Sequence, residues 1–142
     1  MIKQKVGFLL YEQVNALDLV GPLEALHSVS DVASPAYDVC FVGPTSGRFV
    51  SESGLPMIAD KGLNDIDKLD ILFVPGGSGA RSSNTHGQLC PWLQKIQPHT
   101  PRIVSICTGA FILAAAGLLD GQRATTHWAH IETFSTQFPN IT

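Results

Sequence analysis

The sequence predicts an α/β fold, a mostly parallel sheet with helices on both faces, and three observations carry that prediction. Short apolar runs without polar alternation, such as KVGFLL at 5–10 and ILFV at 71–74, read as strands buried on both sides. Segments of helical period alternate with these runs, as strand–helix crossovers require. Residues able to do chemistry fall just past the runs, where such sheets bind ligands: Asp18, the turn Pro75-Gly76-Gly77-Ser78-Gly79, and Cys107.

Lys5 to Leu10 is the first predicted strand. Ala16 to Val29 has a helical period, with Leu19, Leu23, Leu26 and Val29 on one stripe; Pro22 suits a first turn, so the regular helix is expected to start near Gly21. Tyr37 to Val42 is the second strand, closed by Gly43 and Pro44, and pieces around Phe49 and Met57 read as a small hairpin or excursion. Ile71 to Val74 is the third strand, Gln88 to Gln97 a helix, and Arg102 to Ile106 the fourth strand. Thr108 to Ala116 reads as a short Ala-rich helix stopped by Gly117. Arg123 to Thr126 is expected to add a strand, and Ala129 to Phe138 a last helix.

The 142 residues, 44% hydrophobic and 15% charged, suit one globular domain spanning 1–142. Net charge is −3 and the nine Lys and Arg are scattered singly, so nothing resembles a nucleic-acid footprint. No run approaches the ~18 apolar residues of a membrane span. The N-terminal MIKQKVGFLLYEQ has too short an apolar stretch, and no cleavage site, for a signal peptide. Three cysteines, at 40, 90 and 107, argue against a disulfide framework and for the reducing cytoplasm.

Cys107 is the chief candidate for chemistry. It lies between a buried strand and a helix N-terminus, whose free N–H groups and partial positive charge favour thiolate. Gly109 permits a sharp turn there, as in a nucleophile elbow. Cys107 is therefore expected to alkylate at pH 6–7 faster than Cys40 or Cys90, both read as structural, and to be oxidised first. The amides of Gly76 and Gly77, with that of Thr108, are candidates for an oxyanion hole. Asp18, in an apolar setting, is the candidate proton carrier, its pKa raised by burial, with Glu24 the fallback. His127 is placed near the pocket; His27, His86 and His99 read as surface or loop residues, and Trp128 as a packing residue. His127 and His130 lack a third ligand of convincing spacing, so no metal is expected. GGSGAR lacks the third glycine of a dinucleotide fingerprint and there is no phosphate-loop Gly-Lys-Ser/Thr, so no nucleotide cofactor is expected.

Four stretches together resemble the ThiJ/PfpI superfamily, the group with a class I glutamine-amidotransferase-like fold: LDLVGPLE at 17–24, VPGGSG at 74–79, SICTGAFILAAAGLLDG at 105–121 and ATTHW at 124–128. The resemblance runs over essentially the whole chain and implies a flavodoxin-like three-layer sandwich with a Cys nucleophile elbow. Two branches are similar. One is the amidase-like N-terminal domain of AraC-type transcription regulators, which implies a small-molecule sensor that meets DNA only through a separate C-terminal domain. The other is the stand-alone isonitrile hydratases, which implies Cys107 as nucleophile, Asp18 as proton shuttle and Thr108 as their partner. GPLEAL, PGGSGAR and QFPNIT resemble the regulator branch more closely. Proteases of the superfamily carry His directly after the Cys, where this chain has Thr108, so a peptidase is not expected. Members of both branches continue past the position of Thr142, so a domain truncated at its C-terminus is expected, and a homodimer by analogy.

Overall fold

The computed structural model describes residues 3–32 and 37–142. Met1 and Ile2, the head of the N-terminal segment read above, lie outside them. Five strands form one sheet: β1 (Lys5–Leu9), β2 (Asp38–Gly43), β5 (Lys61–Gly62), β6 (Ile71–Val74) and β7 (Arg102–Ser105). Their order is β5-β2-β1-β6-β7 and every pairing is parallel. Between β2 and β5 the chain makes an antiparallel hairpin, β3 (Gly47–Val50) with β4 (Pro56–Ala59), the excursion expected around Phe49 and Met57.

The central strands are apolar because both faces are covered. On one face Phe8 stands level with Phe41 and Phe73, and stacks on Phe73 with ring centres 4.8 Å apart. Helix α1 (Ala16–Val32) carries the chain from β1 to β2, and α2 (Ser83–Ile96) carries it from β6 to β7. These crossovers run in opposite directions along the sheet, so their right-handedness sets α1 and α2 on opposite faces. Helix α3 (Gly109–Ala115) packs beside α2, where the Gln94 amide donates to Ala116 O at 3.0 Å. It ends as expected at Gly117, whose φ of +75° and the Leu118 N–H to Leu113 O bond (3.0 Å) make a Schellman stop. Helix α4 (Ile131–Gln137) closes on α3 through Phe134, stacked edge-on against Phe111 at 5.0 Å.

Four expectations need correction. Helix α1 begins at Ala16, not near Gly21, because the Asn15 side chain accepts from Leu17 N–H (3.0 Å) and Asp18 N–H (3.3 Å) and caps it there. Pro22 thus sits in the helix interior, and Val29 is exposed rather than on the buried stripe. Helix α2 begins at Ser83, five residues before Gln88; its buried face runs Thr85, Leu89, Trp92, Leu93, Ile96, and Cys90 and Pro91 are mid-helix. Residues 123–126 form no strand, although Ala124 N–H bonds Thr142 O at 3.0 Å. A short edge strand, β5, was not expected.

Where β1 and β6 lie side by side, one crossover leaves toward α1 and the other toward α2. That reversal opens a crevice at the carboxyl ends of the strands.

Candidate functional site

Cys107 stands two residues beyond β7, over that crevice. Its φ is +55°, a conformation a residue with a Cβ holds only when its surroundings enforce it. Ile106 N–H still bonds Val74 O (3.0 Å), and α3 starts at Gly109, so the chain reverses within three residues. A Cβ on Gly109 would lie 2.0 Å from Val74 O, so only glycine lets α3 press this closely onto β6.

Asp18, in the first turn of α1, meets Cys107 from the opposite face. Its Oδ2 accepts Gly76 N–H at 3.0 Å, and the same carboxylate lies close enough to the Cys107 thiol for each to act on the other's titration. Thr108 completes the set. Its hydroxyl accepts Gly77 N–H (2.9 Å) and donates to Gly77 O (3.1 Å), while its backbone N–H bonds the sulfur. Gly76 fills the narrow gap between them: a Cβ there would fall 2.7 Å from Thr108 N and 2.8 Å from Asp18 Oδ2. The structure therefore brings Asp18, Cys107, Thr108, Gly76 and Gly77 together.

The amides of the glycine pair have partners within the protein. Gly76 N–H is held by Asp18 and Gly77 N–H by Thr108. The Thr108 N–H and, more weakly, the Thr108 hydroxyl act on the sulfur.

The electrostatics also differ from expectation. Burial, then the Asp18 carboxylate, pushes the Cys107 thiol up, against the opposing pull of the Thr108 N–H. Helix α3 is only seven residues long and starts beyond Thr108, so its dipole reaches the sulfur mainly through that one amide. Asp18 is itself raised, chiefly by burial, as expected, and this is opposed by the Gly76 N–H and the thiol.

His127 lies beside this pair and acts electrostatically on Asp18. It caps the short turn 128–130 through Ala129 N–H to Nδ1 (3.2 Å). Trp128, expected to pack, is 79% exposed, and Glu24 is exposed on α1. Cys40 lies in β2, and burial pushes it up to about 11; Cys90 lies in α2, also raised by burial. His86 is half-buried in α2, its Nε2 2.7 Å from Ala80 O, rather than a surface residue. Among the described residues no three His, Cys, Asp or Glu side chains gather as a metal site. No described helix is long and apolar enough to cross a membrane.

Sequence reasoning missed four residues of the site. Tyr11, fully buried, donates its hydroxyl to Pro75 O (2.5 Å) and Gly76 O (2.9 Å) and fixes the turn that carries Gly76. Glu52, from the hairpin tip, accepts from Ser78 N–H (2.7 Å) and from the Asn15 amide (2.8 Å). Asn15, Glu52 and Arg81 line a pocket of about 150 Å³ together with Cys107, Thr108, His127 and His130. His130 is held below its usual value by partial burial, then by Arg81 and His127. The only advance signal was position, since Tyr11, Asn15 and Arg81 all follow strand ends. A roomier groove, about 520 Å³, opens at the other end of β1 and β2 around Lys5, Asp38 and Cys40, without paired chemistry.

The sequence profile of the DJ-1/PfpI family matches residues 4–139. Isonitrile hydratase of Pseudomonas putida is 36% identical over 132 residues, covering 93% of this chain and 56% of that protein. The HTH-type transcriptional regulator CdhR of Pseudomonas aeruginosa is 30% identical over 140 residues, covering 99% of this chain and 41% of that protein. The crystal structure of an AraC family transcriptional regulator from Pseudomonas putida superposes with a TM-score of 0.82 at 21% identity, over 97% of this chain and 74% of that one. This chain thus spans 56% of the hydratase and 41% of the regulator.

Proposed function

The chain belongs to the DJ-1/PfpI family, and from that premise we propose that it is the small-molecule-sensing domain of an AraC-type transcription regulator. The small molecule binds at a nucleophile elbow built on Cys107, with Asp18, Thr108 and His127 around it. Gly76 and Gly77 form the floor. The observation that carries this reading is the hydrogen bonding of the glycine pair: both amides already have acceptors, leaving one N–H, that of Thr108, beside the sulfur. Covalent turnover needs donors aimed at a developing anion. A closed network of this kind suits binding without turnover. DNA contact falls to a separate domain, and the scattered Lys and Arg of this chain agree with that division.

The reading frame downstream of Thr142 tests the proposal. A helix-turn-helix domain is expected there, and its absence contradicts the sensor. In the full chain, Cys107→Ala should weaken the response of DNA binding to the ligand while leaving DNA affinity itself unchanged.

A second reading, hydration of a carbon–nitrogen multiple bond, is favoured by the placing of the Asp18 carboxyl against the Cys107 thiol. The Cys107 sulfur would attack the isonitrile carbon, Asp18 would deliver the proton, and water would then release the formamide and regenerate the thiol. Incubation with an alkyl isonitrile separates the two. Formamide production that Cys107→Ala abolishes would establish the enzyme; none is expected from the sensor.

A further inference from the structure

Arg81 has no part in the network described above. It ends the short turn Ser78–Arg81 that follows the glycine pair. That turn is tied to two neighbouring segments and closed by a bond of its own. Gly79 N–H bonds Gln13 O (3.2 Å), Ser82 N–H bonds Gly79 O (3.1 Å), and Ser78 N–H bonds Glu52 Oε2 (2.7 Å). A Cβ on Gly79 would lie 2.0 Å from Glu12 O, so the turn sits flush against the chain after β1. The backbone that presents Arg81 is therefore fixed.

The carboxylates near this pocket face other donors: Glu52 holds Ser78 N–H and the Asn15 amide, and Asp18 holds Gly76 N–H and the thiol. Among the described residues no carboxylate pairs with the Arg81 guanidinium, which lines the same pocket as Cys107. A permanently charged, fork-shaped donor without an anion stands at the rim of a small cavity. At about 150 Å³ that cavity has room for roughly five water-sized groups.

We infer that Arg81 is an anion-binding residue of the Cys107 pocket, and that the small molecule taken there is a short carboxylate held by the guanidinium with its adjacent carbon toward the sulfur. The inference deepens the proposed binding function and rests on it. Arg81 selects the ligand by charge and planarity, and Cys107 and Asp18 meet the rest of it.

Iodoacetate and iodoacetamide test this, because they differ only in carrying a carboxylate or a neutral amide beside the same reactive carbon. Each forms an S–C bond as the C–I bond breaks, iodide leaves and the thiol proton passes to solvent. Rates at Cys107, Cys40 and Cys90 are read by peptide mass spectrometry, and the ratio of the two reagents cancels any change in thiol pKa. In Arg81→Gln the iodoacetate-to-iodoacetamide ratio at Cys107 should fall roughly fivefold, the upper range for one exposed charge pair. Arg81→Lys should recover part of it, and the ratio at Cys40 should stay constant. An unchanged ratio at Cys107, or an equal fall at Cys40, overturns the inference. A Cys107 that reacts with neither reagent contradicts the pocket itself.

Discussion

At Cys107, burial and a neighbouring carboxylate oppose ionisation, while the Thr108 N–H favours it. The sequence context showed the strand-to-helix turn and placed Asp18 in the same pocket, but it set the helix N-terminus above burial in judging the thiol. Burial first, and the Asp18 carboxylate after it, turn the expected direction of the thiol shift around. The Thr108 hydroxyl, which both accepts from and donates to Gly77, has a separable role. Thr108→Val leaves a buried N–H unpaired and should destabilise the fold by about 1–3 kcal/mol in denaturant melts, whereas Thr108→Ser should keep most of that stability. Asp18 makes stability pH-dependent. A native carboxyl that holds its proton more tightly than the unfolded chain contributes stability that is fully present below about pH 4 and lost as pH rises through its native value. Wild type should therefore lose stability relative to Asp18→Asn over that rise, and a parallel pair of pH–stability curves would contradict the shift.

The elements follow from apolar runs and caps, and the misread boundaries have physical causes. Asn15 starts α1 by side-chain capping, which overrides the expectation that a proline marks the first turn. Polar residues of the first turns of α2 hide a buried face in which Thr85 stands where an apolar residue was sought. The approach of α3 to β6 depends on Gly109, where a Cβ would strike Val74 O. Gly109→Ala should cost several kcal/mol or prevent folding, because the clash is with the backbone of Val74 and Pro75, which no side-chain rotation relieves. Circular dichroism and soluble yield would register it, and a stable, unshifted variant would contradict the close approach.

For the molecule as a whole, the order β5-β2-β1-β6-β7 places the Tyr11–Asn15 segment, the glycine turn and Cys107 at one end of the sheet. Alternating strands and helices predicted that architecture, and with it Asp18, Gly76, Gly77, Cys107 and Thr108 in one place. Glu52 and Arg81 were not legible. Glu52 reaches Ser78 across 26 residues from a hairpin whose docking no local pattern encodes, and Arg81 follows the glycine turn as an ordinary surface residue would. The last part of the chain is joined to the rest by a separate aromatic cluster of Phe111 and Phe134. Phe134→Ala should cost about 3 kcal/mol and lower the amide-exchange protection of Ala124 and Thr142, which bond to that part of the chain.

The most direct test of the Asp18–Cys107 pair is the pH dependence of iodoacetamide alkylation at Cys107 in wild type and in Asp18→Asn. Wild type should titrate above an ordinary thiol, and the substitution should move the midpoint down and speed alkylation at pH 7, because it removes a carboxylate that raises the thiol. A wild-type midpoint below the ordinary thiol value, or one that Asp18→Asn leaves in place, would contradict the pairing.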